Sequence, residues 1–93
     1  MSNNIFKNIT TEISEYDNNY SVRFYHPQDK WSLGIIRISN HNNNLITTSM
    51  EINTLIEYIM LNNNLPIEMG EAIVMTIRNY AIDKLKQYIN GGE

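Results

Sequence analysis

The sequence predicts an α+β fold: an antiparallel β-meander of three or four strands, then two amphipathic α-helices packed on one sheet face. Three observations carry this. Between residues 9 and 39, β-branched and aromatic residues alternate with polar ones, the period of a half-buried strand. After residue 48 the apolar spacing changes to three and four, the period of a helix. Two asparagine clusters, HNNNL at 41–45 and LNNNL at 61–65, stand where the pattern breaks, and asparagine tolerates the positive φ that turns require.

The strands come first. ITTEISEY and YSVRFYH flank DNN, a three-residue connection suited to a hairpin. Tyr20, Val22 and Phe24 alternate with Ser21, Arg23 and Tyr25, so one face is apolar and the other mixed. HPQDK reads as a turn, since Pro27 cannot donate to a ladder. WSLGIIRIS continues the meander, with Trp31 at a strand start, where such a residue closes the edge of a core. Ile5, Phe6, Ile9 and Ile13 also fit a helical spacing, but Thr10 and Thr11 favour a strand over 9–16. An open outer face would carry Tyr25, with Leu33 and Ile35 beside it.

The helices follow. Thr48-Ser49-Met50-Glu51 has the form of a capping box, and Ile52, Leu55, Ile56, Ile59 and Met60 make one stripe behind it. Glu51, Glu57 and Tyr58 fall on the other side. A second helix begins near Pro66, is interruptible at Gly70, and buries Ile73, Ile77, Ala81, Leu85 and either Tyr88 or Ile89. Glu68 and Glu71 suit its N-terminal dipole, Lys84 and Lys86 its C-terminal one, and Gly91 a terminal cap. The expected layout is one domain over 1–93, with strands within about 9–47, a helix over about 48–62 and a helix over about 66–90.

Composition narrows the function. The chain has 93 residues, no cysteine and two histidines, so disulfide and thiolate chemistry are absent and a zinc site would lack ligands. Its 42% hydrophobic content suffices for one core and argues against disorder. No apolar run reaches the roughly 20 residues of a membrane span, and MSNNIFKNIT lacks the features of a secretory leader, so a cytoplasmic protein is expected. No glycine-rich phosphate loop occurs among Gly34, Gly70, Gly91 and Gly92. His26 and His41 sit in turns, where histidine is commonly solvated. An enzyme is not expected, nor a cofactor or metal.

Asparagine and isoleucine each occur fifteen times, and both have AT-rich codons; lysine, also AT-encoded, occurs only four times. The shortage is what chance gives in a short chain, or what a surface meeting a basic partner would select. A net charge of −3 disfavours binding to phosphate backbones, which rests on lysine and arginine. Candidate interface residues are Glu12, Glu15 and Asp17 as an acidic patch, Arg23, Tyr25 and Trp31 on the central hairpin, and Glu51, Glu57 and Tyr58 on the first helix. Arg37, on a strand, is expected to pair with a carboxylate on a neighbouring strand. Outward aromatics beside arginine also suit single-stranded nucleic acid, which is the runner-up partner. Self-association of the open face, as a homodimer or a phage structural assembly, is the third reading.

NYSVRF (19–24) and LGIIRISNHNNNLITTSMEINTLIEYI (33–59) resemble a family of small phage-encoded anti-CRISPR proteins that inhibit the type II effector Cas9. In that family a Y-[ST]-V-[KR] strand precedes an I-I-R-[IV] strand, an asparagine-rich turn, a further strand and an amphipathic helix. The resemblance implies a phage or mobile-element protein that binds and inhibits a host defence protein by steric occupation. The family's acidic loops mimic DNA; here the matching turn is NHNNNL, and the last helix carries Arg78, Lys84 and Lys86. No functional residue of the family therefore transfers to this chain.

Overall fold

The computed structural model describes residues 5–91. The expected domain limits at 1–4 and 92–93 lie outside the described residues. Four strands, β1 (Thr10–Tyr16), β2 (Asn19–Tyr25), β3 (Ser32–His41) and β4 (Asn44–Glu51), precede helices α1 (Asn53–Asn63) and α2 (Gly70–Ile89). The strands pair in sequence order as an antiparallel meander. The α+β expectation holds, and the segment at 9–16 is strand from Thr10.

The β1–β2 and β3–β4 connections are two-residue turns, Asp17-Asn18 and Asn42-Asn43, with all four φ angles between 53° and 69°. Positive φ at both central residues is what a tight hairpin matching the strand twist requires. The expected three-residue DNN connection is thus one residue too long: Asn19 already pairs, opposite Tyr16 and Ser39.

The core lies between one sheet face and both helices. Tyr20, Val22 and Phe24 of β2 and Ile36 and Ile38 of β3 meet Leu55 and Ile59 of α1 and Ile73, Ile77, Ala81 and Leu85 of α2; Tyr88 and Ile89, one of which the spacing predicts to continue that stripe, are both exposed where the last turn of α2 runs past the core. Phe6 seals one end, its ring stacked on Tyr80 with centroids 3.9 Å apart. α2 begins at Gly70 after a 3₁₀ turn at Ile67–Met69, which is the interruption the glycine suggested. Gly91 takes φ 119°, the conformation of a terminal cap.

The start of the first helix departs from expectation. Residues 48–51 are the last half of β4, and the Thr48–Glu51 capping box does not form: Ile52 occupies the N-cap without a side-chain cap. The Thr48 hydroxyl instead donates to the Arg37 carbonyl at 3.2 Å. Ladder pairing of a β-branched stretch outcompetes a local cap, which stabilises by only about 1 kcal/mol. The strands therefore run to Glu51 rather than ending near 47. The helix ends where expected, with Asn64 left-handed (φ 52°) and its N–H donating to the Met60 carbonyl.

Gly34 decides how closely α1 approaches. It pairs with Phe24 on the core face, and a Cβ there would lie 2.9 Å from the Glu51 carbonyl oxygen and 3.1 Å from Ile52 Cα. The bare backbone is the space into which the β4–α1 joint fits.

Candidate functional site: the outer sheet face

Strand register sorts the outward side chains into four rows. They are Thr10–Tyr25–Ser32, then Glu12–Arg23–Ile35–Glu51, then Ser14–Ser21–Arg37–Ser49, then Tyr16–Asn19–Ser39–Ile46. Neither helix covers this face.

Two register shifts shape it. Between Phe24 and Tyr25 the β2–β3 register slips, so Leu33 has no partner on β2 and turns into the core, where it is buried. The expectation of an outward Leu33 is corrected by this bulge. Ile35 is outward as expected, yet only 5% exposed, enclosed by the row of longer charged side chains on either side. The second shift, between Arg37 and Ile38, leaves Thr48 as the extra residue of β4. It inverts the alternation after Thr48 and brings Glu51 to the outer face. There Glu51 Oε1 lies 3.8 Å from Arg37 Nη1, the cross-strand pair expected of Arg37.

The charges on this face alternate in sign. The Tyr25 hydroxyl donates to Glu12 Oε1 at 2.8 Å, and Arg23, opposite Glu12, donates to Ser32 Oγ at 3.3 Å. The carboxylate that accepts the Tyr25 proton holds this phenol above its usual range; loss of hydration and the Glu12 charge add to the effect, and Arg23 opposes it. Arg37 is half exposed beside a shallow depression of about 280 Å³, lined by Ser14, Tyr16, Ser21 and Thr48 among others. Serines make the dent because they fill so little of the space that Arg37 and Tyr16 rise above.

The expected acidic patch is not assembled. Alternation sends Glu12 outward and Glu15 to the helix side, where Tyr20 and Tyr88 donate to it at 3.5 and 3.4 Å. Asp17 sits in the turn. Glu57 is exposed on α1, away from the outer rows, and Tyr58 is half buried rather than exposed.

One grouping escaped the sequence reading. His26, expected to be solvated, has a side chain only 16% exposed and organises the β2–β3 turn. Its Nδ1 accepts from the backbone N–H of Gln28 at 3.2 Å and of Asp29 at 3.0 Å, so the neutral ring carries its proton on Nε2. Trp31 stacks on it at 5.4 Å and Tyr58 meets it edge-on at 5.2 Å. Trp31, expected at the core edge, is instead 48% exposed, stacked on His26 on the side of the sheet where Tyr58 of α1 lies. The left-handed Lys30 (φ 63°), which lets His26 and Trp31 face each other, is unexpected for lysine and gave no signal in the sequence.

Among the described residues no group of three His, Cys, Asp or Glu could hold a metal ion, and no helix is long and apolar enough to cross a membrane. No protein family, curated protein or solved structure matches the chain.

Proposed function

We propose that the chain is a binding protein rather than an enzyme, and that it acts by occupying a surface of a protein partner with its outer sheet face. The partner class we carry forward is a host defence protein of the CRISPR–Cas effector type, inhibited in the host cytoplasm by a phage or mobile-element product.

The row Glu12–Arg23–Ile35–Glu51, with Arg37 beside it, is the observation that supports this reading. Charges of both signs at cross-strand spacing complement a protein surface of mixed charge, whereas a polyanion would meet as much repulsion as attraction. On the same face stand Tyr16 and Arg37, residue types that anchor protein interfaces. The effector class rests on the sequence resemblance.

The test is interference against plasmid or phage in cells carrying type II systems and expressing the chain. Loss of interference is expected, together with a complex of the chain and the purified effector. Tyr16→Ala or Arg37→Ala should each weaken that complex by roughly tenfold or more, the loss of one anchor. Full interference in every type II system, with no complex formed, would reject the effector as partner. Salt-sensitive binding to single-stranded DNA, lost in Tyr25→Ala, would replace the reading with the nucleic-acid one.

A further inference from the structure

The sheet has two edges, and they differ. β1 carries Glu12 and Glu15, charges that oppose chance pairing. Among the described residues β4 (NLITTSME) pairs only with β3; it holds no lysine, arginine or proline, and has a single charge, Glu51 at its end. Every β4 residue is exposed or half exposed; Ile46 and Met50 are among the exposed apolar side chains. Eight residues thus offer an unpaired backbone edge to another strand.

The bulge at Thr48 specifies which strand fits. Before it, Leu45 and Thr47 face the core side, and Asn44 and Ile46 the outer side. After it the parity inverts: Met50 faces the core side, and Ser49 and Glu51 the outer side. Two antiparallel copies of β4 related by a two-fold axis therefore match face to face, outside the bulge itself, where the paired residues lie on opposite sides of Thr48 and their numbers sum to an odd value; an even sum there sets core-side residues against outer-side ones. The register that uses all eight residues has the odd sum 95. It sets Leu45 opposite Met50, Ile46 opposite Ser49, and Asn44 opposite Glu51, each twice, with Thr47 opposite Thr48 at the axis. Apolar meets apolar on the core side, and each carboxylate meets an amide donor at the far end from its own copy. The next odd register, 97, leaves two residues unpaired and places Ile46 against Glu51.

We propose that β4 is a self-association edge at which a second copy of this chain adds antiparallel in this register, making a continuous eight-stranded sheet. The two-fold axis runs perpendicular to the sheet. Both helix layers then share one side and both outer faces the other. This stands independently of the partner assigned above.

The absence of cysteine gives a direct test. Residues 46 and 49 of one strand lie roughly 10 Å apart at the strand rise, too far for a disulfide within a protomer. In the full chain, Ile46→Cys with Ser49→Cys should give a reducible covalent dimer under mild oxidation, while either substitution alone gives far less. Sedimentation of the native chain should show the mass doubling as concentration rises. Thr48→Glu, which sets like charges across the axis, should weaken association roughly tenfold; Thr47→Lys repeats the test by another substitution, and circular dichroism checks that both variants fold. A monomer up to millimolar concentration overturns the proposal. So does a dimer indifferent to these charges, or one that the cysteine pair links no better than the single variants.

Discussion

Gly34→Ala and Gly70→Ala are the same chemical change with opposite expected outcomes. At Gly34 the new methyl would sit 2.9 Å from the Glu51 carbonyl oxygen, 3.1 Å from Ile52 Cα and 3.2 Å from Ile52 Cγ2. Ordinary contact begins near 3.4 Å, and two of the three neighbours are backbone at the joint between β4 and α1. The joint must move by about half an ångström, or β3 must bend; strain of this kind costs about 1–3 kcal/mol. Gly34 does not have positive φ, so alanine also narrows the unfolded ensemble, which returns about 0.4–1 kcal/mol. The net expectation is a loss of about 1–2 kcal/mol. At Gly70 the backbone is right-handed helical (φ −54°, ψ −46°), and nothing lies within 4 Å of the new methyl. There alanine should stabilise by about 0.5–1 kcal/mol. Urea unfolding followed by far-ultraviolet circular dichroism measures both. At about 4–8 °C per kcal/mol for a domain of this size, thermal midpoints should move in opposite directions by several degrees. Two shifts of the same sign, or a Gly34→Ala protein as stable as the native one, would refute the account of the joint.

Three further outcomes are expected. Tyr25 holds its proton more tightly when folded than when unfolded, so the stability tied to it is complete below the ordinary phenol value near pH 10 and fades as pH rises from there through the raised folded value. Glu12→Gln removes the main cause and should let Tyr25 ionise earlier, read by site-resolved NMR; an unchanged titration would remove Glu12 from the explanation. His26→Ala should cost about 1–2 kcal/mol in urea unfolding, by freeing two turn N–H groups and the Trp31 stack, and nitrogen shifts should place the native proton on Nε2. Thr48→Val should leave the helical signal at 222 nm unchanged, because Thr48 bonds to a neighbouring strand and not to α1; a drop in that signal would restore the capping role.

Where the sequence was legible, a single period governed the segment. Tyr20, Val22 and Phe24 are buried by alternation alone, as are Ile73, Ile77, Ala81 and Leu85 by helical spacing. It was misleading where two local signals competed. Thr48-Ser49-Met50-Glu51 has the form of a cap but also continues the β-branched run Ile46-Thr47-Thr48, and only the register with β3, a contact between residues far apart in sequence, decides for the strand. The site was harder to read than the fold. Glu12 and Glu15 lie three apart, which looks like a cluster until the pleat separates them. Arg37 and Glu51 look unrelated until a bulge inverts half of β4. His26 lacked any periodic signature, since its partners are turn N–H groups and an aromatic from α1.

The tight corners are built mostly from one residue type. Among the described residues seven non-glycine positions have positive φ, and five of them are asparagine: Asn8, Asn18, Asn42, Asn43 and Asn64. Glycine would turn these corners with less steric cost, but glycine codons are GC-rich, and asparagine is the tolerated substitute whose codons are not. Such corners are positions where the backbone admits either residue. A relative encoded in a GC-rich genome should keep the same corners and write them in glycine.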